Sequence, residues 1–128
     1  MEPHDDVVVN LPMAELVYEA APNDKRLAKQ IVTLASDVKN DSSIHAALML
    51  YKARALRTLG LNTAAREVLT TALRKKRGRS EDLLRALRYE RACLYEDLGQ
   101  HRRARSEFEK LYAEAPDYED IASRLGLR

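Results

Sequence analysis

This chain of 128 residues has no tryptophan, one phenylalanine and a single cysteine. With only Cys93 present, an intramolecular disulfide and a multi-cysteine metal cluster are both excluded. Four glycines and four prolines give little punctuation, and no glycine-rich phosphate loop is found. No segment alternates with period two over the length of a strand, so β-structure is not expected. Apolar runs are short: residues 46–51, among the longest, fall far below the ~20 residues of a membrane-spanning helix. The first residues lack a basic stretch leading into an apolar one, so no secretory leader is read and a cytoplasmic setting is expected. An excess of one charge is missing too. The net charge of +2 is too small to imply a polyanionic partner by itself.

What is abundant is apolar and helix-favouring. Hydrophobic residues make up 45% and charged residues 33% of the chain, enough for one folded domain with a solvated exterior. Alanine, leucine, arginine and glutamate lose little side-chain freedom in a helix. Residues 1–10, acidic and then Val7-Val8-Val9, carry no helix signal and are expected to form a tail or short extended arm. Pro12 suits the first turn of a helix that stops at Pro22. Asn23 is positioned to cap a helix over 24–39, and a third helix is expected over 44–59, ended by Gly60. A fourth spans 63–76. Ser80, followed by Glu81 and Asp82, caps a fifth that stops at Gly99. A sixth covers 102–114 before Pro116, and a last short helix covers 118–125. Connections this short make sequential helices antiparallel neighbours.

Within this helical series one pattern recurs. Tyr95, Leu98, Gly99, Ala104, Phe108, Leu111 and Pro116 form its fullest copy. Leu56, Leu59, Gly60, Ala65, Leu69 and Ala72 repeat the offsets after the glycine, and Ala28, Val32 and Ala35 keep an eroded version. The three alanines lie 37 and 39 residues apart, a period that signals stacked α-repeats in place of a single-core globule.

On these residues the chain resembles the tetratricopeptide repeat family. The resemblance implies an all-α fold in which antiparallel helix pairs stack as a right-handed solenoid. The repeats would cover residues 11–40, 44–77 and 81–116, with a capping helix over 118–126 and a tail over 1–10. Ala104 would let paired helices approach closely, and Phe108 would fill the gap to the neighbouring repeat. Tyr112, Tyr118, Ile121 and Leu125 would form the capping surface, and the finish at Leu127-Arg128 reads as a natural C-terminus. Four positions depart from the family pattern. Arg91 and Lys52 stand where leucine is expected, and Met49 and Arg88 where a large aromatic is expected.

The family's first helices line a concave groove that receives a peptide or a partner's helix. Carried onto this sequence, the groove positions are Leu50, Arg54 and Arg57 from one repeat and Tyr89, Cys93 and Glu96 from the next. Arg54 and Arg57 are three apart on one helical face and could grip a carboxylate together, or pair with Glu96 or Asp97 across the groove. Leu50 and Tyr89 would add apolar contact. A second feature is the basic run of Arg74, Lys75, Lys76, Arg77 and Arg79, which could contact a polyanion or simply solvate a linker.

Catalysis finds no support. His4, His45 and His101 are scattered, none with a second ligand at metal spacing, and Cys93 has no histidine near it in sequence. The expected function is a non-enzymatic protein-interaction scaffold without a cofactor, acting as a monomer or weak homodimer on a protein or peptide partner. The alternatives are a nucleic-acid accessory using residues 74–79 and a structural dimerisation domain.

Overall fold

A computed structural model describes residues 6–127. Residues 1–5 of the expected tail, His4 among them, and the terminal Arg128 lie outside the described residues. Among those described the chain is all-helical, in the order α1 (Val7–Ala20), α2 (Lys25–Leu34), α3 (Ser43–Thr58), α4 (Asn62–Leu73), α5 (Glu81–Asp97), α6 (His101–Glu114) and α7 (Ile121–Arg124). No helix among them is long and apolar enough to cross a membrane.

Two of the turns are copies of each other. Gly60 and Gly99 sit at φ +78° and +77°, in the left-handed region that strains the backbone of any other residue even where its side chain has room. The Leu61 amide donates to the Leu56 carbonyl and the Gly60 amide to Arg57, closing the end of α3. Gln100 to Tyr95 and Gly99 to Glu96 close α5 in the same way. The next residues match as well: Leu61 (φ −91°, ψ 62°) and Gln100 (φ −90°, ψ 63°) lead into α4 and α6. Four residues after each of these comes an alanine, Ala65 or Ala104, buried against the preceding helix.

Packing is local along the chain. Each helix lies against the next, and in addition α1 touches α3 and α3 touches α5, whereas α1 and α2 do not pack on α5, α6 or α7. The apolar interior is correspondingly divided into three clusters. Ala14, Ala28 and Ile31 join the α3 residues Leu48 and Ala55. Met49, Leu50 and Leu56, also of α3, join Leu69 of α4 and Leu87 and Leu94 of α5. Cys93 of α5 joins Phe108, Leu111 and Ile121. Helices α3 and α5 thus each belong to two clusters and link the row.

Several helix ends differ from the expected bounds, and long-range hydrogen bonds account for two of them, the start of α1 and the end of α4. The helix α1 starts at Val7, and not near Pro12 as expected, so residues 7–10 are helical and not a tail or arm. Val7 is buried, and the Asn10 side-chain amide donates to the Leu34 carbonyl at 3.1 Å, which ties this first turn to the end of α2. Pro12 therefore lies inside the helix. Asp24, and not Asn23, caps α2, its carboxylate accepting from the Arg26 and Leu27 amides. That helix ends at Leu34, where the Thr33 and Ser36 hydroxyls bond to backbone carbonyls and compete with further helix. The end of α4 comes at Leu73 because the buried Asn40 amide donates to the carbonyls of Thr71 and Ala72, both at 3.0 Å. The last helix is only four residues long, delayed by the left-handed Glu119 at φ 44°. Ser42 and Ser80 cap α3 and α5.

One surface stands out. On α1, which carries apolar residues nearly all round, Val8, Val9, Met13 and Leu16 are exposed, Leu16 at 69%.

Candidate functional site

The face built by α1, α3 and α5 holds four of the six expected groove residues, in two polar networks: Arg54 and Arg57 in one, Tyr89 and Glu96 in the other. Arg54 and Arg57, one turn apart on α3, both reach Glu90 on α5. The Arg54 Nε donates to Glu90 Oε1 at 2.9 Å and the Arg57 Nη1 to Oε2 at 3.4 Å. The Arg57 Nε also donates to Asp97 at 2.8 Å. Glu90 is 7% exposed, and two guanidiniums meet its carboxylate there, the pairing that a buried acid requires. On Arg54, burial opposes the charge, but Glu90, together with Tyr18 and Tyr51, outweighs it and raises the pKa.

The guanidinium of Arg54 is further fixed by two tyrosine rings. It lies 5.4 Å from the centroid of Tyr18 on α1 and 5.2 Å from that of Tyr51 on α3. The two rings meet edge to face at 5.7 Å. Tyr18, Asn23, Arg54, Arg57, Thr58 and Glu90 line an open cavity of about 520 Å³ here. Its rim is braced by the Thr58 hydroxyl, which donates to the Pro22 carbonyl at 3.0 Å.

Further along the face, Tyr89 and Glu96 meet the C-terminal turn. Arg124 donates to both Glu96 and Asp120, and the Tyr89 hydroxyl donates to Asp120. Burial, and then the bond to Asp120, raise the Tyr89 pKa; the bonds from Tyr89 and Arg124 hold Asp120 below the usual carboxylate range against its burial. The Arg124 guanidinium lies 5.8 Å from the Tyr89 ring centroid and 5.4 Å from that of Phe108. These contacts fasten α7 across the end of α5.

The other two expected groove residues face inward. Leu50 packs with Ala65 and Leu69, and Cys93 with Ala104 and Phe108, so neither presents a surface to a partner. The physical reason is the same for both. Their helices are covered on several sides, so positions that a two-sided helix would expose become core. Burial pushes the Cys93 thiol up to about 11, which keeps it protonated and unreactive at neutral pH.

Glu90 was not among the expected residues, yet a signal for it exists. Leu83, Leu87, Glu90 and Leu94 follow one another at spacings of 4, 3 and 4, so a lone acid occupies an apolar stripe.

The basic run splits in two. Arg74, Lys75, Lys76 and Arg77 are exposed. Arg79 is engaged internally, its Nη2 donating to Asn40 Oδ1 at 2.6 Å and to the Asn40 carbonyl at 3.2 Å. Because Asn40 in turn holds the end of α4, Arg79 ties the two longer loops together. Arg88 and Arg91, two of the departures from the repeat pattern, pair with Glu107 across the α5–α6 hairpin, both at 3.3 Å. Among the described residues no group of three or more His, Cys, Asp or Glu is arranged to hold a metal ion.

No family model, no curated protein and no solved structure matches this chain.

Replacing Glu90 by leucine should strand Arg54 in a half-buried position. Chemical denaturation is expected to show a loss of about 2 kcal/mol, below the ~3–5 kcal/mol of a fully buried broken pair because both arginines keep some solvent. The double variant Arg54→Met/Glu90→Leu should recover most of that loss, and an unchanged midpoint for Glu90→Leu alone would contradict the role given to the acid.

Proposed function

We propose that this chain is a non-enzymatic interaction module, a short tetratricopeptide-like array whose α1–α3–α5 face receives a carboxylate-bearing segment of a partner protein. The observation that carries this reading is the state of Arg54. Its guanidinium is held over two tyrosines and pinned through Nε by Glu90, while neither Nη group donates a hydrogen bond to a carboxylate among the described residues. An arginine fixed in this way loses little freedom when a second carboxylate arrives in the adjoining cavity. The near-identical Gly60 and Gly99 turns, 39 residues apart, and the row of three linked clusters support the array. Leu50 and Cys93 have no part in the contact, and Tyr18 and Tyr51 supply its apolar walls.

Selection from a displayed peptide library tests this. Peptides rich in Asp or Glu, or ending in a free carboxylate at the contact, should be enriched on wild type. The Arg54→Met/Glu90→Leu variant, folded by circular dichroism, should bind them at least tenfold more weakly. Selection without acidic preference, or binding indifferent to the variant, would remove the carboxylate reading.

Dimerisation through α1 is a second reading, favoured by the exposed stripe of Val9, Met13 and Leu16. An apolar face of this kind on a terminal helix is what a capping element normally covers. Sedimentation from low to high micromolar concentration should then show a monomer–dimer equilibrium that Leu16→Lys abolishes. A wild type that stays monomeric throughout would exclude it.

A further inference from the structure

The cations of this chain are unevenly placed, and one side of α5 gathers them. Two open clefts lie side by side there, between α4 and α6, and share Thr70, Arg74 and Arg91. One, of about 500 Å³, is lined by Arg66, Arg74, Arg91 and Arg103, with Glu67 its single acid. The other, of about 550 Å³, adds Lys76, Arg88 and Lys110, with Glu107 and Glu114 as its acids. Together the clefts hold seven cations and three acids, a net +4 in a chain whose total is +2, so the rest of the molecule nets −2.

The two acids of the larger cleft are already engaged by Arg88 and Arg91. Arg66, Arg74, Lys76, Arg103 and Lys110 form no ion pair among the described residues. Arg91 and Arg103 are both held against the Tyr95 ring, at 5.6 and 5.7 Å from its centroid. Like charges collected in a concave cleft repel one another, and an anion between them relieves that cost. Five of the seven are arginines, whose planar fork matches phosphate oxygens. The exposed Lys75 and Arg77 extend the basic rim beyond the clefts, so the positive surface is elongated and not a point site.

We infer that the α4–α5–α6 trench binds the phosphodiester backbone of a single-stranded nucleic acid, without base selectivity. An elongated cleft suits a polymer better than an isolated anion, and clefts of this volume admit a strand whereas a duplex could only rest on the rim. The one aromatic in the trench, Tyr95, is already covered by Arg91 and Arg103, which leaves no free platform for base stacking. This site is separate from the Arg54–Glu90 face: on α5, Arg88, Arg91 and Tyr95 point one way, and Glu90 and Asp97 another.

Fluorescence anisotropy with a labelled oligothymidylate of about twelve nucleotides, within the usual span of single-strand sites, tests the proposal. Binding at low salt should weaken as salt rises, with a log–log slope of about −3 if four or five phosphates are met. Arg66→Glu/Arg103→Glu should lower affinity at least tenfold, as should the independent pair Lys76→Glu/Lys110→Glu, with helicity unchanged. Arg54→Met/Glu90→Leu should bind the oligonucleotide like wild type. No binding at low salt, or affinity indifferent to both charge reversals, would overturn the proposal. So would polyglutamate binding as tightly, which would make the trench a site for acidic peptides, or a duplex binding better than the strand.

Discussion

The left-handed glycine turn followed at a fixed distance by a small residue is the constraint on which the rest of this structure depends. Gly60 and Gly99 each send the chain back along the helix it has just left, and Ala65 and Ala104 let the two backbones close up with no side chain between them. A hairpin made this way buries only its inner side. Its outer apolar positions need the next hairpin, and the interior therefore forms as three linked clusters along a row, not as one central core. The proline-bearing turns add a second recurrent stop: Ala21 (φ −155°, ψ 77°) and Ala115 (φ −149°, ψ 81°) end α1 and α6 in nearly the same backbone conformation, each just before a proline.

A row of this kind has two long sides, and α5, shared by two clusters, is polar toward both. On one side Glu90 and Asp97 meet the arginines of α3; on the other Arg88 and Arg91 meet Glu107 and Glu114 of α6. Charged residues thus stand at inter-helix positions and pair across them. The cost of desolvating these groups is offset only while each keeps its partner, which fixes the register of neighbouring helices. What is left over after this pairing gives the two sides their characters. The α1–α3–α5 side has an arginine held by Glu90 among tyrosines, and the α4–α6 side has five cations that form no ion pair among the described residues.

The sequence made the local features readable. Apolar spacing, caps and prolines located the seven helices of the described residues, and Gly60, Gly99, Ser80 and the alanine offsets placed the turns, because each acts within a few residues of itself. Features set by contacts from elsewhere in the chain were not readable. The early start of α1 depends on Asn10 reaching Leu34, and the early end of α4 on Asn40 reaching Thr71 and Ala72, 31 and 32 residues away. Arg79 looked like a free cation in a basic run and is instead the clamp on Asn40. On the candidate face, helical spacing alone paired Arg54 with Arg57. It did not reveal that α3 and α5 are covered on several sides, which takes Leu50 and Cys93 into the core. Glu90 was legible in principle, as the one acid in the 83–87–90–94 stripe.

Residue-resolved hydrogen exchange of wild type and Gly99→Ala tests the row of hairpins most directly. Alanine at φ +77° costs about 1–2 kcal/mol, placed at the α5–α6 turn alone. If stability is a sum of neighbouring hairpins, amides of α5, α6 and α7 lose protection while those of α1 and α2 keep theirs. An equal loss of protection in all seven helices would mean a single cooperative core, and would contradict the division of the interior into locally coupled units.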